Sequence, residues 1–244
     1  MDKVIGNVID FTLWNELLRQ YVDEKGQVNY FAWKQEQPTI LADWLLSIAQ
    51  PDINIIHPST NISEKLAFWI NLYNAFTITT ILEYYPIKSI LPRILGIPNW
   101  LGFLSFFQRR IYLIGGKYYS LSGIENKILR EQLQDSRIHF AIVCASIGCP
   151  LLRNTAYFPQ LVQQQLDDDT RRFINNPEKV SYDEKSNILY CSKIFKWYRS
   201  DFLKTAPSIP EYIRYYLDKD LAINPSTSVK YLDYDWNLNQ RISS

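Results

Sequence analysis

The sequence predicts an α+β fold: one domain over residues 1–244, with helices packed around a small antiparallel sheet. Three observations carry this. Apolar residues recur at helical spacing in several separate segments. Two pairs of short extended segments each flank a turn signal, the mark of a hairpin. No internal repeat, low-complexity run or linker divides the chain. Hydrophobic residues make up 47% of the sequence and aromatics 15%, enough for a packed core and against disorder.

Phe11 to Val22 places Leu13, Trp14, Leu17, Leu18 and Tyr21 on one helical face. Asp23-Glu24-Lys25-Gly26 turns the chain into a short extended piece, Val28 to Phe31, and Pro38 to Ala49 reads as a second helix. Residues 50–60 form a loop punctuated by Pro51 and Pro58 and containing His57. Asn61 to Tyr85 carries the strongest helical signal. Asn61 or Ser63 can cap it, Glu64 suits its positive N-terminal end, and Pro86 stops it. It is apolar nearly all round and should run through the core.

Ile87 to Phe107 is rich in Pro, Gly and aromatics and reads as helical turns or a loop packed on the core, with a lipid- or partner-binding lip as the other reading. Gly115-Gly116 joins two strands in a hairpin. Ser122-Gly123-Ile124-Glu125 matches a capping box and opens a helix to Leu133. The stretch Ile138 to Leu152, IHFAIVCASIGCPLL, reads as a buried strand that ends in a small-residue turn and a helix start at Pro150. Helix is expected within Arg153 to Asp169, broken by Pro159, then a second hairpin over Val180 to Cys191. Short helices follow at Lys193–Phe202 and Pro210–Leu217, and Val229 to Trp236 supplies a last edge strand.

The net charge is +1, from 26 basic and 25 acidic residues. That balance makes no electrostatic case for nucleic acid or an anionic membrane. The N-terminus lacks a signal-peptide pattern, and the apolar run Leu66 to Leu82 is too short and too polar for a membrane span, so a soluble cytoplasmic protein is expected. An odd number of cysteines, three, does not make a disulfide framework. Two distant histidines and cysteines without paired spacing make no zinc motif, and no dinucleotide, phosphate-loop or GxSxG fingerprint is present. No cofactor and no metal are expected.

The chemistry gathers in Ile138 to Leu152, which holds His139, Cys144 and Cys149. A cysteine acts as its thiolate, and a helix N-terminus or an imidazole favours that form. Cys149, just before Pro150, is placed at such a start, and Gly148 leaves room for a tight turn and a substrate. Cys144 is the rival, but an unbroken strand would face it away from His139. Both cysteines also suit the role of small buried hydrophobes, and together they offer a redox pair, though not at CxxC spacing. His139 needs a partner on its second ring nitrogen, and Glu125, Asn71 and Asn74 are the candidates. Each has a plain structural reading as well: Glu125 in its capping box, and the two asparagines bonding loop backbone.

The segments LLRQYVDEKGQVNY, KLAFWINLYNAFTI, SGIENKILR, IHFAIVCASIGCPLLR and IFKWYRSDF, in this order, resemble the family called domain of unknown function 547. The resemblance runs from about residue 14 to about 202, with residues 203–244 as a C-terminal extension, and implies a stand-alone, bacterial-type member. It singles out Asn71, Asn74, Glu125, His139, Cys144 and Cys149. Plant members carry serine and threonine at the positions of Cys149 and His139, which would confine thiol chemistry to the bacterial-type branch. The order of helix, His-bearing strand and Cys at a helix start would also suit a permuted papain-like arrangement. Two functions are therefore expected. One is a cysteine-dependent hydrolase or acyltransferase acting on an amide, peptide or thioester, with Cys149 attacking, His139 as base, Glu125 orienting it, and Asn71 or Asn74 assisting. Its partner would be a small-molecule or peptide substrate. The other is a non-catalytic binding or scaffold module with a buried polar network.

Overall fold

The structure, a computed structural model, describes residues 10–49, 61–94, 97–109 and 111–241. The expected loop at 50–60, with His57, lies outside the described residues.

The arrangement is α+β, and its centre is a helix. Four helices come first: α1 (Thr12–Tyr21), α2 (Tyr30–Glu36), α3 (Ile40–Ser47) and α4 (Ile62–Tyr84). Helix α2 replaces the extended piece expected at Val28 to Phe31, because Asn29 caps it by accepting from the Ala32 amide. Helix α4 begins as expected. The Asn61 side chain accepts from the Glu64 amide, and Glu64 reaches back to the Asn61 amide. From Leu66 to Ile78 every residue of α4 is buried.

Strands β1 (Arg93–Ile94) and β2 (Ile97–Pro98) pair antiparallel ahead of α5 (Trp100–Gln108). None of the residues of α5 is fully buried, so this apolar helix lies on the surface. Strands β3 (Tyr112–Ile114) and β4 (Lys117–Tyr119) form the expected hairpin. Gly115 and Gly116 take φ of 52° and 72°, the left-handed pair that such a two-residue turn requires. The single turn α6 (Leu121–Gly123) is capped by Ser120, not Ser122, and passes into a π-helix over Ile124–Leu133. The expected capping box at Ser122 is thus not made, and Glu125 is free for other contacts.

The stretch around His139 is a correction. Ser136–Phe140 is a 3₁₀ turn, not a strand, and irregular backbone continues through Pro150 to α7 (Val162–Ile174). No helix starts at Pro150. The remaining elements are β5 (Val180–Asp183), β6 (Ile188–Cys191), α8 (Ile194–Trp197), α9 (Arg199–Phe202), α10 (Ile209–Tyr216) and β7 (Ser228–Tyr231). The sheet order is β5-β6-β7, antiparallel between β5 and β6 but parallel between β6 and β7. It is mixed, where an antiparallel sheet was expected, because β7 returns from α10 at the edge.

Two hydrophobic clusters result. The larger surrounds α4, and the smaller joins Phe173, Phe195, Phe202 and Tyr212 to β5 and β6. Residues 138–143 lie between them: Ile138, Ala141 and Val143 belong to the first, Phe140 to the second.

Two side chains of α4 fix the irregular segments. Asn74 Nδ2 donates to the Ala141 carbonyl at 2.9 Å, and its Oδ1 accepts from the Val143 amide at 3.0 Å. Asn71 holds both backbone groups of Tyr157 in the same way, at 2.8 and 2.9 Å. Removing either amide would strand two buried backbone groups. Asn71→Ala and Asn74→Ala should each destabilise the fold by about 2–4 kcal/mol, lowering Tm by roughly 4–16 °C. Thermal unfolding followed by circular dichroism checks this, and an unchanged Tm would contradict it.

Candidate functional site

Residues 144–149 form a tight loop whose conformation is unusual. Ala145 has φ of 65°, a left-handed backbone that costs an alanine roughly 1–2 kcal/mol. The C-terminal segment holds it there. The Asn239 amide donates to the Ala145 carbonyl, the Ile147 amide to Asn237, and the Gly148 amide to Asp235. Lys179 Nζ donates to the Ile147 carbonyl at 2.6 Å, and burial pushes that lysine's pKa down. Gly148 is required by crowding, not by room for a substrate: a Cβ there would sit 2.9 Å from the Asp235 carbonyl and the Tyr234 ring.

The same loop brings Cys144 and Cys149 together as a disulfide, with Cα atoms 6.2 Å apart. An odd number of cysteines argued against a framework, and that holds only in the sense that one is left over. Cys191 is a buried free thiol whose pKa burial pushes up to about 12, so it is a core residue. The Cys144 amide donates toward Cys149 Sγ at 2.9 Å, and the Tyr234 hydroxyl does so at 3.3 Å.

His139 sits on the 3₁₀ turn, buried, with its ring stacked on Tyr198 at 3.8 Å between centroids. Its Nε2 lies 2.9 Å from Asp201 Oδ2. Asp201 in turn accepts from Arg130 Nε at 2.6 Å, and Arg130 donates to Asn126 Oδ1. The hydrogen bond from His139, with Arg130 beside it, holds the Asp201 carboxyl well below the usual carboxylate range. Burial lowers the His139 pKa from its ordinary 6.5, and Asp201 opposes this only in part. A neutral imidazole beside an ionised carboxylate carries its proton on Nε2. The Nδ1 lone pair is therefore left, and Nδ1 is buried without a partner.

Glu125 does not touch His139 through a hydrogen bond. Its Oε1 accepts from the Tyr198 hydroxyl at 2.6 Å and its Oε2 from Tyr73 at 3.3 Å. It bears on the imidazole through the Tyr198 ring. Asn71 and Asn74 reach neither His139 nor the cysteines, and bond loop backbone instead.

A cavity of about 440 Å³ is bordered by Glu125, His139, Cys144 and Cys149, with Tyr198, Tyr234 and an aromatic wall around its mouth. Four of the six residues singled out in the sequence thus meet at one place. Sequence reasoning missed Asp201, Tyr198 and Tyr234. Asp201 and Tyr198 lie within IFKWYRSDF, where a tyrosine and an acid stand one helical turn apart, but nothing local ties them to a histidine 62 positions away. Among the described residues, no group of three or more His, Cys, Asp or Glu side chains is placed to hold a metal ion. No helix among them is long and apolar enough to cross a membrane.

An α+β frame that carries a buried His-Asp pair and a cysteine pair on one cavity defines the class of this chain. Residues 58–174 match the family model described as Protein of unknown function, DUF547, and this segment belongs to that family. The matched segment is shorter than the stretch over which the motifs resemble it: it includes His139, Cys144 and Cys149 but ends before Tyr198 and Asp201. No curated protein and no solved structure matches the chain.

The His139 tautomer is open to direct measurement. Nitrogen-15 spectra should show His139 neutral at pH 7, protonated at Nε2, and titrating below 6.5, with His57→Gln used to assign the two rings. An imidazolium at pH 7, or a proton on Nδ1, would contradict the geometry.

Proposed function

We propose that this chain is a cysteine-dependent hydrolase or acyltransferase acting on an amide, peptide or thioester, active in its dithiol form. The observation that supports this reading best is the state of His139. One ring nitrogen is held by Asp201, the other is buried without a partner, and the ring borders the cavity that Cys149 also borders.

In the reduced protein, Cys149 Sγ gives its proton to His139 Nδ1 and attacks the substrate carbonyl carbon. A C–S bond forms, the bond to the leaving group breaks, and the leaving group takes the proton back from the imidazole. Water, or an acceptor nucleophile, then attacks the thioester with the same imidazole as base, and Cys149 is restored. Two donors aimed at Cys149 Sγ, the Cys144 amide and the Tyr234 hydroxyl, favour the thiolate. No comparable backbone donor is aimed at Cys144 Sγ, whose neighbours are the Ser146 and Tyr234 hydroxyls.

Asp201 takes the orienting role first given to Glu125: it fixes the tautomer and balances the imidazolium that forms. Glu125 is a positioning residue, since it anchors Tyr198 against the ring. Asn71 and Asn74 act at one further remove, through the backbone they hold. In a reducing compartment such as the cytoplasm the cysteine pair stays open, and oxidation closes it. The rival reading, a non-catalytic binding or scaffold module, draws on the same buried polar network.

Alkylation separates the two readings. After reduction, iodoacetamide at pH 7 should label Cys149 in the folded protein, and His139→Ala should slow that labelling by about 10²-fold or more. Asp201→Ala should slow it as well, with circular dichroism confirming that each variant is folded. Without reductant, labelling of Cys149 should be absent. Modification only after unfolding, or at a rate indifferent to His139, would sink the enzyme reading.

A further inference from the structure

The walls of the cavity carry information about what enters it. One side is aromatic and aliphatic: Trp100, Phe103, Leu104 and Phe107 from α5, facing Trp197 and Trp236. These rings pack on one another. Trp236 lies 5.0 Å from Phe103, 6.1 Å from Trp100 and 5.8 Å from Trp197 between centroids, so the wall is continuous from α5 to the C-terminal segment. The only charged group among the described lining residues is the Glu125 carboxylate; they include no lysine or arginine. Arg130, in the network behind the cavity, is turned to Asp201 and Asn126.

From this we infer that the substrate is an uncharged amide or thioester whose acyl or side group is apolar, with an aromatic ring fitting best, and that anionic substrates are excluded. The inference rests on the proposed thiol chemistry and adds its selectivity. An aromatic group gains from the wall through burial and ring–ring contact. A carboxylate or phosphate entering the same space would lose water, meet Glu125 and find no cation among the described lining residues. A cavity of this size takes a group such as a benzyl or short acyl chain together with the reacting carbonyl.

The test uses reduced full-length protein and three reagents that alkylate thiols: iodoacetamide, iodoacetate and N-benzyl-2-chloroacetamide. Each rate at Cys149 is divided by the rate with a small free thiol, to remove intrinsic reactivity. The expected order is benzyl reagent, then iodoacetamide, then iodoacetate, with the benzyl reagent favoured over iodoacetamide by roughly 3–10-fold. Trp197→Ala should abolish most of that preference. Trp197 is 44% exposed, and Trp100→Ala, at a residue 52% exposed, provides a second variant should the first fail to fold. A flat order, or iodoacetate fastest, would overturn the inference even if labelling still depends on His139. Labelling that ignores His139 with every reagent would instead remove the thiol chemistry beneath it.

Discussion

The structure depends on one constraint: a buried, largely apolar helix has to hold polar, irregular backbone against itself without leaving buried groups unpaired. Helix α4 meets it with two asparagines one turn apart. A primary amide is the only side chain that offers a donor and an acceptor at the spacing of a peptide group, so Asn74 stands in for a strand partner at Ala141 and Val143, and Asn71 does so at Tyr157. That substitution lets the chain carry a non-repetitive segment through the core. Everything at the cavity follows from it, since His139 lies two residues before one clamped carbonyl and Cys144 directly after the clamped amide.

The clamped segment also divides two cores. Its neighbours are apolar on both sides, with Phe140 turned to the cluster around β5 and β6 and Ile138 and Ala141 to the cluster around α4. His139 falls between them, stacked on Tyr198 and edge-on to Phe202 at 5.5 Å. Desolvation there favours the neutral ring, and Asp201 with Arg130 supplies the one charged anchor that keeps it from turning. The π-helix serves this arrangement. Its wider turn carries Glu125, Asn126 and Arg130, and all three end in the network around Tyr198 and Asp201.

What was legible in the sequence was whatever is decided locally. Asn61 and Glu64 announce the start of α4, and Gly115-Gly116 announces its hairpin, because caps and left-handed turns are short-range chemistry. The IHFAIV segment was misread as a strand for a physical reason. All six of its residues are buried, so the near-continuous apolar run reports burial and not period. Ser122 and Glu125 had the spacing of a capping box, but Ser120 reached the Gly123 amide first. Pro150 suited a helix start, yet Arg172 from α7 donates to the Leu151 carbonyl, so the segment after it is tied from outside as irregular backbone. The residues at the site were largely legible; the partners were not, because Asp201 and Tyr234 arrive from elements far along the chain.

That distance has a consequence for how the site is built. The cysteine loop belongs to the family-matched segment, but its strained Ala145 is held by Asn239, its Gly148 is packed by Asp235 and Tyr234, and Cys149 Sγ receives a donor from Tyr234. The segment after β7 therefore completes a loop that residues 58–174 leave unfinished. The two ends of the loop also answer to different parts of the molecule. Cys144 is fixed to α4 through the Asn74–Val143 bond, whereas Cys149 is fixed by the C-terminal segment that packs on Gly148. The geometry between the two sulfurs is thus set jointly by the central helix and by the segment after β7.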